Sequence, residues 1–161
     1  MIDETDAKIL TIVQENARTS NAEIARMIGM APSAIFERVR KLEAKGIIRG
    51  YETRLDPTSV DAGLCAFIFV RANERVGSLE TGARLAAIPE ALEVHQVAGE
   101  DCYLLKVRVA NTEALGRLLR ERLGCLASVI STRSTIVLST LKETAQLSLG
   151  ASNEKEEVDA R

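Results

Sequence analysis

At 161 residues, 46% apolar and 27% charged, the chain has room for one or two small globular domains. No apolar run approaches the ~18 residues of a membrane span. The start, MIDETDAK, lacks the basic-then-apolar pattern of a signal peptide, so a cytoplasmic protein with no membrane partner is expected. The formal net charge of −2 does not announce a nucleic-acid binder, whose usual footprint is a basic domain.

In chain order, Asp3 is a good cap for a first helix, and Asp6 adds negative charge to its first turn. Leu10, Val13 and Ala17 keep a helical stripe that Ile9 and Ile12 widen, and residues 16–19 end it. Ser20 and Glu23 have the spacing of a capping box and open a second helix over residues 21–28. Its Ile24, Ala25 and Ile28 suit packing on the first helix. Gly29-Met30-Ala31 then turns the chain into a third helix, residues 32–46. Pro32 is tolerated in its first turn and Gly46 makes a left-handed stop. Ile35, Val39 and Leu42 form a narrow apolar keel, while Ser33, Glu37, Arg40, Lys41 and Ala44 point the other way. A short helix, a tight turn and a polar-faced second helix have the spacing of a helix-turn-helix, whose second helix enters a DNA major groove. The local charge agrees: between residues 37 and 54, Arg38, Arg40, Lys41, Lys45, Arg49 and Arg54 face Glu37, Glu43 and Glu52, a net +3. After Gly46, residues 47–55 are β-rich and suit a strand or small wing. Asp56-Pro57-Thr58 is a turn and the expected linker.

The second half alternates strands and helices. Residues 64–70 are a near-continuous apolar run of buried-strand length. A helix follows over residues 79–88, with Leu79, Ala83 and Ala86 or Ala87 on its inner face and Pro89 closing it. A strand at 91–97, a turn at Gly99-Glu100-Asp101 and a strand at 102–109 come next. Asn111 caps a helix with Leu115, Leu118, Leu119 and Leu123 inward, and a last strand runs over residues 129–138. The order β-α-β-β-α-β defines a ferredoxin-like domain with both helices on one face of an antiparallel sheet. Apolar residues on both parities of the first and third strands suggest that a second subunit covers the other face. The fold class is thus α+β. Residues 1–58 form a winged helix-turn-helix, 59–149 a sensing and oligomerisation domain, and 150–161 a polar tail of disordered composition.

These features together resemble the leucine-responsive regulator/AsnC (Lrp/AsnC, feast/famine) family. The matching stretches are IDETDAKIL; ENARTSNAEIARMIGMAPSAIFERVRKLEAKGIIRGY with LDP; VHQVAGEDCYLLKVRV; and TRSTIVL. The resemblance implies a DNA-binding transcription regulator working as a homodimer or octamer, with an amino acid as effector, bound between subunits near the turn after the second sensor strand. It implies no enzymatic activity, metal or cofactor. Two positions depart from the family pattern. Ala31 stands where a capping Ser is common, and Cys102 stands where the effector turn has an Asp suited to a ligand ammonium group.

The side chains expected at DNA are Ser33, Ala34, Glu37, Arg40 and Lys41, with Arg38 on the flank toward a phosphate. Arg can bridge a guanine edge, Glu can accept from a cytosine amino group and Ser can do either. The bland alternative for Glu37 is an i, i+4 pair with Lys41. At the effector turn, Gly99 permits a tight backbone turn whose amides suit a carboxylate. With Cys102 in place of that Asp, either Asp101 turns inward and substitutes, which is the favoured reading, or the site takes a less cationic or more apolar ligand, or it is empty. Tyr103, Thr132 and Ser134 supply polar handles if the strands pair as in the family. His95, the only histidine, reads as a structural hydrogen-bonding group, since no nucleophile motif accompanies it. Cys65 reads as core, Cys125 as packed near a helix end. The odd number of cysteines without close metal-ligand spacing points to free thiols. An effector-free member that organises DNA, or the regulatory domain of an enzyme, are the alternatives. No phosphate loop, metal cluster or catalytic pair in the sequence favours the second.

Overall fold

A computed structural model describes residues 2–75 and 77–149, and the tail expected over 150–161 lies outside them. The chain forms two compact units: residues 1–53 joined by the stretch from Glu143, and Arg54–Lys142. No helix among the described residues is long and apolar enough to cross a membrane.

Three helices build the first unit: α1 (Glu4–Glu15), α2 (Asn21–Ile28) and α3 (Pro32–Ala44). Their shared core is Ile9, Leu10, Ile24, Ala25, Ile35, Val39 and Leu42, which includes the keel of α3. Helices this short are marginal alone and depend on that burial. The reciprocal capping box lies on α1, where the Asp3 carboxylate accepts from Asp6 N–H and Asp6 accepts in turn from Asp3 N–H. Ser20 caps α2 by accepting from Glu23 N–H at 3.2 Å. Gly29, at φ +78°, takes the left-handed turn that ends α2 and lets the chain start α3 at Pro32, a conformation that glycine adopts without Cβ strain.

Two features depart from expectation. Residues 47–55 form no strand, and no backbone ladder pairs them. Ile48 instead packs on the helical core, and Tyr51 donates to Glu43 at 2.9 Å. The C-terminal stretch, expected to belong to the sensing domain up to residue 149, returns to α1. Gln14 accepts from Leu147 N–H at 2.7 Å and donates to Leu147 C=O at 3.2 Å, Gln146 donates to Gln14 C=O at 2.9 Å, and Leu149 packs against the core.

The second unit follows the order β1 (Leu64–Ala72), α4 (Glu80–Ala86), β2 (Ala91–Gln96), β3 (Tyr103–Val109), α5 (Thr112–Leu118), β4 (Val129–Ile136). The last helix continues into a wider turn over Leu119–Leu123. The sheet is antiparallel in the order β2-β3-β1-β4, the ferredoxin-like arrangement. Ala66, Ile68 and Val70 of β1 and Leu105 and Val107 of β3 meet Leu85, Ile88, Leu115, Leu118 and Leu123 in one core. Alternation puts Phe67, Phe69 and Arg71 on the other face, beside Leu104 and Lys106 of β3 and Arg133 of β4.

The inner face of α4 is Thr81 and Leu85, continued by Ile88 just past its end, while Leu79, Ala83, Ala86 and Ala87 are exposed. The expected face is therefore displaced by part of a turn. Thr81 can be buried because its hydroxyl donates to Ser128 Oγ at 2.8 Å. Gly82 closes the packing, since a Cβ there would stand 2.8 Å from the Tyr103 ring. Cys65 is buried as expected, whereas Cys125 is exposed rather than packed.

Candidate DNA-binding face and effector turn

Helix α3 holds its outward residues on a keel that is wholly buried, so their directions are set by the core. Ser33, Glu37, Arg40 and Lys41 are exposed and Ala34 is half-buried, together on one side of the helix. Glu37 leans toward Arg40 at 3.9 Å, not toward Lys41, and both side chains are more than half in water. A pair this open is worth little, so a partner can separate it cheaply. Ala31 gives α3 no side-chain cap. Pro32 has no N–H and Ala34 N–H donates to Ala31 C=O at 3.0 Å, which leaves the Ser33 N–H of the first turn for solvent or an anion.

Arg38 does not join this face. Its Nη1 donates to Asp3 Oδ2 at 2.7 Å and to Asp6 Oδ1 at 2.8 Å, so the residue expected at a phosphate bridges α3 to the capping box of α1. That hydrogen bond holds the Asp3 carboxyl below the usual carboxylate range and pushes the guanidinium up. The physical reason is position: Arg38 lies on the α1 side of the keel, within hydrogen-bond reach of two carboxylates.

The effector turn spans residues 97–102. Val97 N–H donates to Cys102 C=O at 3.0 Å, and Cys102 N–H donates to Val70 C=O at 2.9 Å, which pins the turn to the end of β1. Gly99, at φ +134°, adopts backbone that side chains disfavour. Asp101 pairs with Arg133 of β4 at 3.0 Å, and the Arg133 guanidinium lies 4.0 Å from the centre of the Phe69 ring. Cys102 is half-buried, its thiol donating to Ala72 C=O at 3.4 Å.

Tyr103 corrects the expectation of a ligand handle. It is 1% exposed on the helix side of the sheet, and its hydroxyl donates to the Glu74 carboxylate. Glu74 also accepts from Thr81 N–H at 3.4 Å. Burial, then the hydrogen bond to Glu74, pushes the Tyr103 phenol up, while that same hydrogen bond holds Glu74 down. Thr132 and Ser134 are exposed, but they pair with Val70 and Ile68 and so take the parity opposite to Arg133. The fold brings Gly99, Asp101 and Cys102 together and leaves Tyr103, Thr132 and Ser134 on the other parity. Sequence reading missed Arg133, although it stands between Thr132 and Ser134 in TRSTIVL; register with Phe69 was the missing signal. His95, exposed, contacts Glu93 at 3.2 Å, and Lys106 reaches the same carboxylate at 3.2 Å. Among the described residues, no three His, Cys, Asp or Glu side chains group as metal ligands.

A three-helix unit with a solvent-facing helix α3 and a ferredoxin-like unit define a two-domain DNA-binding regulator. Comparison with known proteins agrees over nearly the whole chain. Residues 2–49 match the winged helix-turn-helix DNA-binding model, and residues 65–147 match the Lrp/AsnC ligand binding domain. The HTH-type transcriptional regulator FL11 of Pyrococcus horikoshii is 36% identical, covering 91% of this chain and 95% of its own. The leucine-responsive regulatory protein of Salmonella typhimurium is 35% identical, at 91% and 90% coverage. Among solved structures, a transcriptional regulator from Neisseria meningitidis in complex with L-Met superposes with a TM-score of 0.85 at 34% identity, covering 91% of this chain and 96% of that one. The feast or famine regulatory protein of M. tuberculosis complexed with L-methionine gives 0.84 at 35% identity, covering 91% and 99%. The chain belongs to the Lrp/AsnC family of DNA-binding transcription regulators, a family of regulators and not of enzymes.

Proposed function

We propose that this regulator binds DNA through Ser33, Ala34, Glu37, Arg40 and Lys41, and senses a small molecule of α-amino-acid chemistry at residues 97–102. The Asp101–Arg133 pair carries the second part of this reading. An amino acid brings one ammonium and one carboxylate, the charges needed to separate such a pair and satisfy both halves, with the Gly99 turn amides beside them. Relatives crystallised with L-Met and L-methionine support that chemistry. In this reading Asp101 holds the ammonium group in place of the Asp that Cys102 replaces. Each charge-assisted contact is worth about 1.5–3 kcal/mol.

The sheet face carrying Phe67, Phe69 and Arg133 is the dimer surface in this proposal, since helices cover only the other face. Dimers present two recognition helices to successive half-sites, and an octamer is their further assembly. Effector binding shifts the balance between arrangements of the DNA-binding units.

The test is calorimetric titration of an amino-acid panel into wild type, Asp101→Asn and Cys102→Asp, with light scattering at micromolar concentration. Wild-type binding lost in Asp101→Asn supports the assignment. Binding that is tightened in Cys102→Asp but unchanged in Asp101→Asn refutes it, and no binding in any variant points to an effector-free regulator. A monomer by scattering removes the dimer surface.

A further inference from the structure

Phe36 stands on the DNA-binding helix and is 52% exposed. It is one of three phenylalanines in the chain, and the other two, Phe67 and Phe69, are half-buried on the sheet. Phe36 follows Ser33 by three residues and precedes Arg40 by four, so it shares a flank of α3 with both. It stands at about a right angle to the keel of Ile35, Val39 and Leu42, on the side away from Arg38. The surface that α3 offers is thus edged by an aromatic ring beside two groups able to hydrogen-bond base edges.

The only apolar group that a base pair shows in the major groove is the thymine C5-methyl. We propose that Phe36 is a specificity-determining residue that packs on a thymine methyl. Charge complementarity selects DNA as the occupant: Arg40 and Lys41 on the same helix attract phosphates. The exposed neighbours of Phe36 on α3, Ser33, Glu37, Arg40 and Glu43, are polar or charged, as suits a groove lined by base edges and phosphates.

The test uses the full chain and duplexes that it selects from a random-sequence pool. These are resynthesised with deoxyuridine in place of each thymidine in turn, which removes only the methyl. Wild type is expected to lose about three- to tenfold in affinity at one or two thymidines per half-site. Phe36→Ala should lose a similar factor on the parent duplex and nothing further at those positions, while Phe36→Leu recovers most of the affinity. Thermal unfolding checks that the variants fold; the wild-type scan and Phe36→Leu decide the matter if Phe36→Ala does not. Wild type indifferent to every deoxyuridine, or Phe36→Ala still sensitive at the same positions, overturns the proposal. So does a Phe36→Ala variant with wild-type sequence preference and an altered oligomer by light scattering, which would make a second copy the occupant. A wild-type chain that selects no duplex at all would overturn DNA recognition by α3 itself, a failure distinct from that of Phe36.

Discussion

On α3, Glu37 and Arg40 approach only to 3.9 Å, with more than half of each side chain in water. At the sensor turn, Asp101 and Arg133 meet at 3.0 Å over the Phe69 ring, and Glu93 holds both His95 and Lys106. The first surface keeps its charged groups apart and in water. The second holds its charges in direct pairs, although the Arg133 side chain is itself 63% exposed. The difference shows why the two surfaces were not equally readable: an outward helix face follows from helical periodicity, whereas a direct pair depends on which distant segments lie side by side.

The comparison can be broken first at the cores. Ile35→Ala should cost about 2–5 kcal/mol, the range for buried large-to-small changes, and should melt the DNA-binding unit while the sensor unit remains folded. Calorimetry that finds one joint transition lowered as a whole would show that the two units unfold together.

DNA affinity sharpens the contrast between Lys41 and Arg38. Lys41→Ala should weaken binding by about 1–3 kcal/mol if it makes a base contact, or reduce the salt slope by about 1 if it meets a phosphate. Arg38→Ala should leave the salt slope unchanged and lower the melting temperature of the DNA-binding unit, because its partners are Asp3 and Asp6. Titration of a selected duplex across salt concentrations, with thermal unfolding, separates the two.

Tyr103→Phe should destabilise the sensor unit by about 1–2 kcal/mol through the lost bond to Glu74, with amino-acid affinity little changed. A large loss of ligand affinity without loss of stability would return Tyr103 to the effector site. Gln14→Ala should cost about 1 kcal/mol, read in the melting of the DNA-binding unit, because it removes both side-chain bonds to Leu147.

The smallest effect is a pH dependence at the linker turn. Hydrogen bonds from Ser59 and Thr58 lower the Asp56 carboxyl to about 2. Its folded value lies below its unfolded one, so its stabilisation is fully present above the ordinary value of 3.8 and is lost as pH falls toward 2. Asp56→Asn should flatten that part of the stability profile in acid denaturation followed by circular dichroism.

Local chemistry was enough for α1, α2 and α3, for the alternation of strands and helices, and for the inward leucines of α5. Caps, turn glycines and periodic apolar residues act within four residues of one another, so the sequence displays them directly. The same locality explains Ser33, Glu37, Arg40 and Lys41, whose outward direction follows from the keel. Tertiary structure alone decided what depends on distant partners. Thr81 is buried because Ser128 accepts its hydroxyl, and Tyr103 turns inward because Glu74 waits there. Arg38 goes to Asp3 and Asp6, and residues 146 and 147 return to Gln14, across 32 to 133 positions of chain. Each is a polar group whose burial or direction is set by the one partner that satisfies it, and pattern within a short window carries no record of that partner.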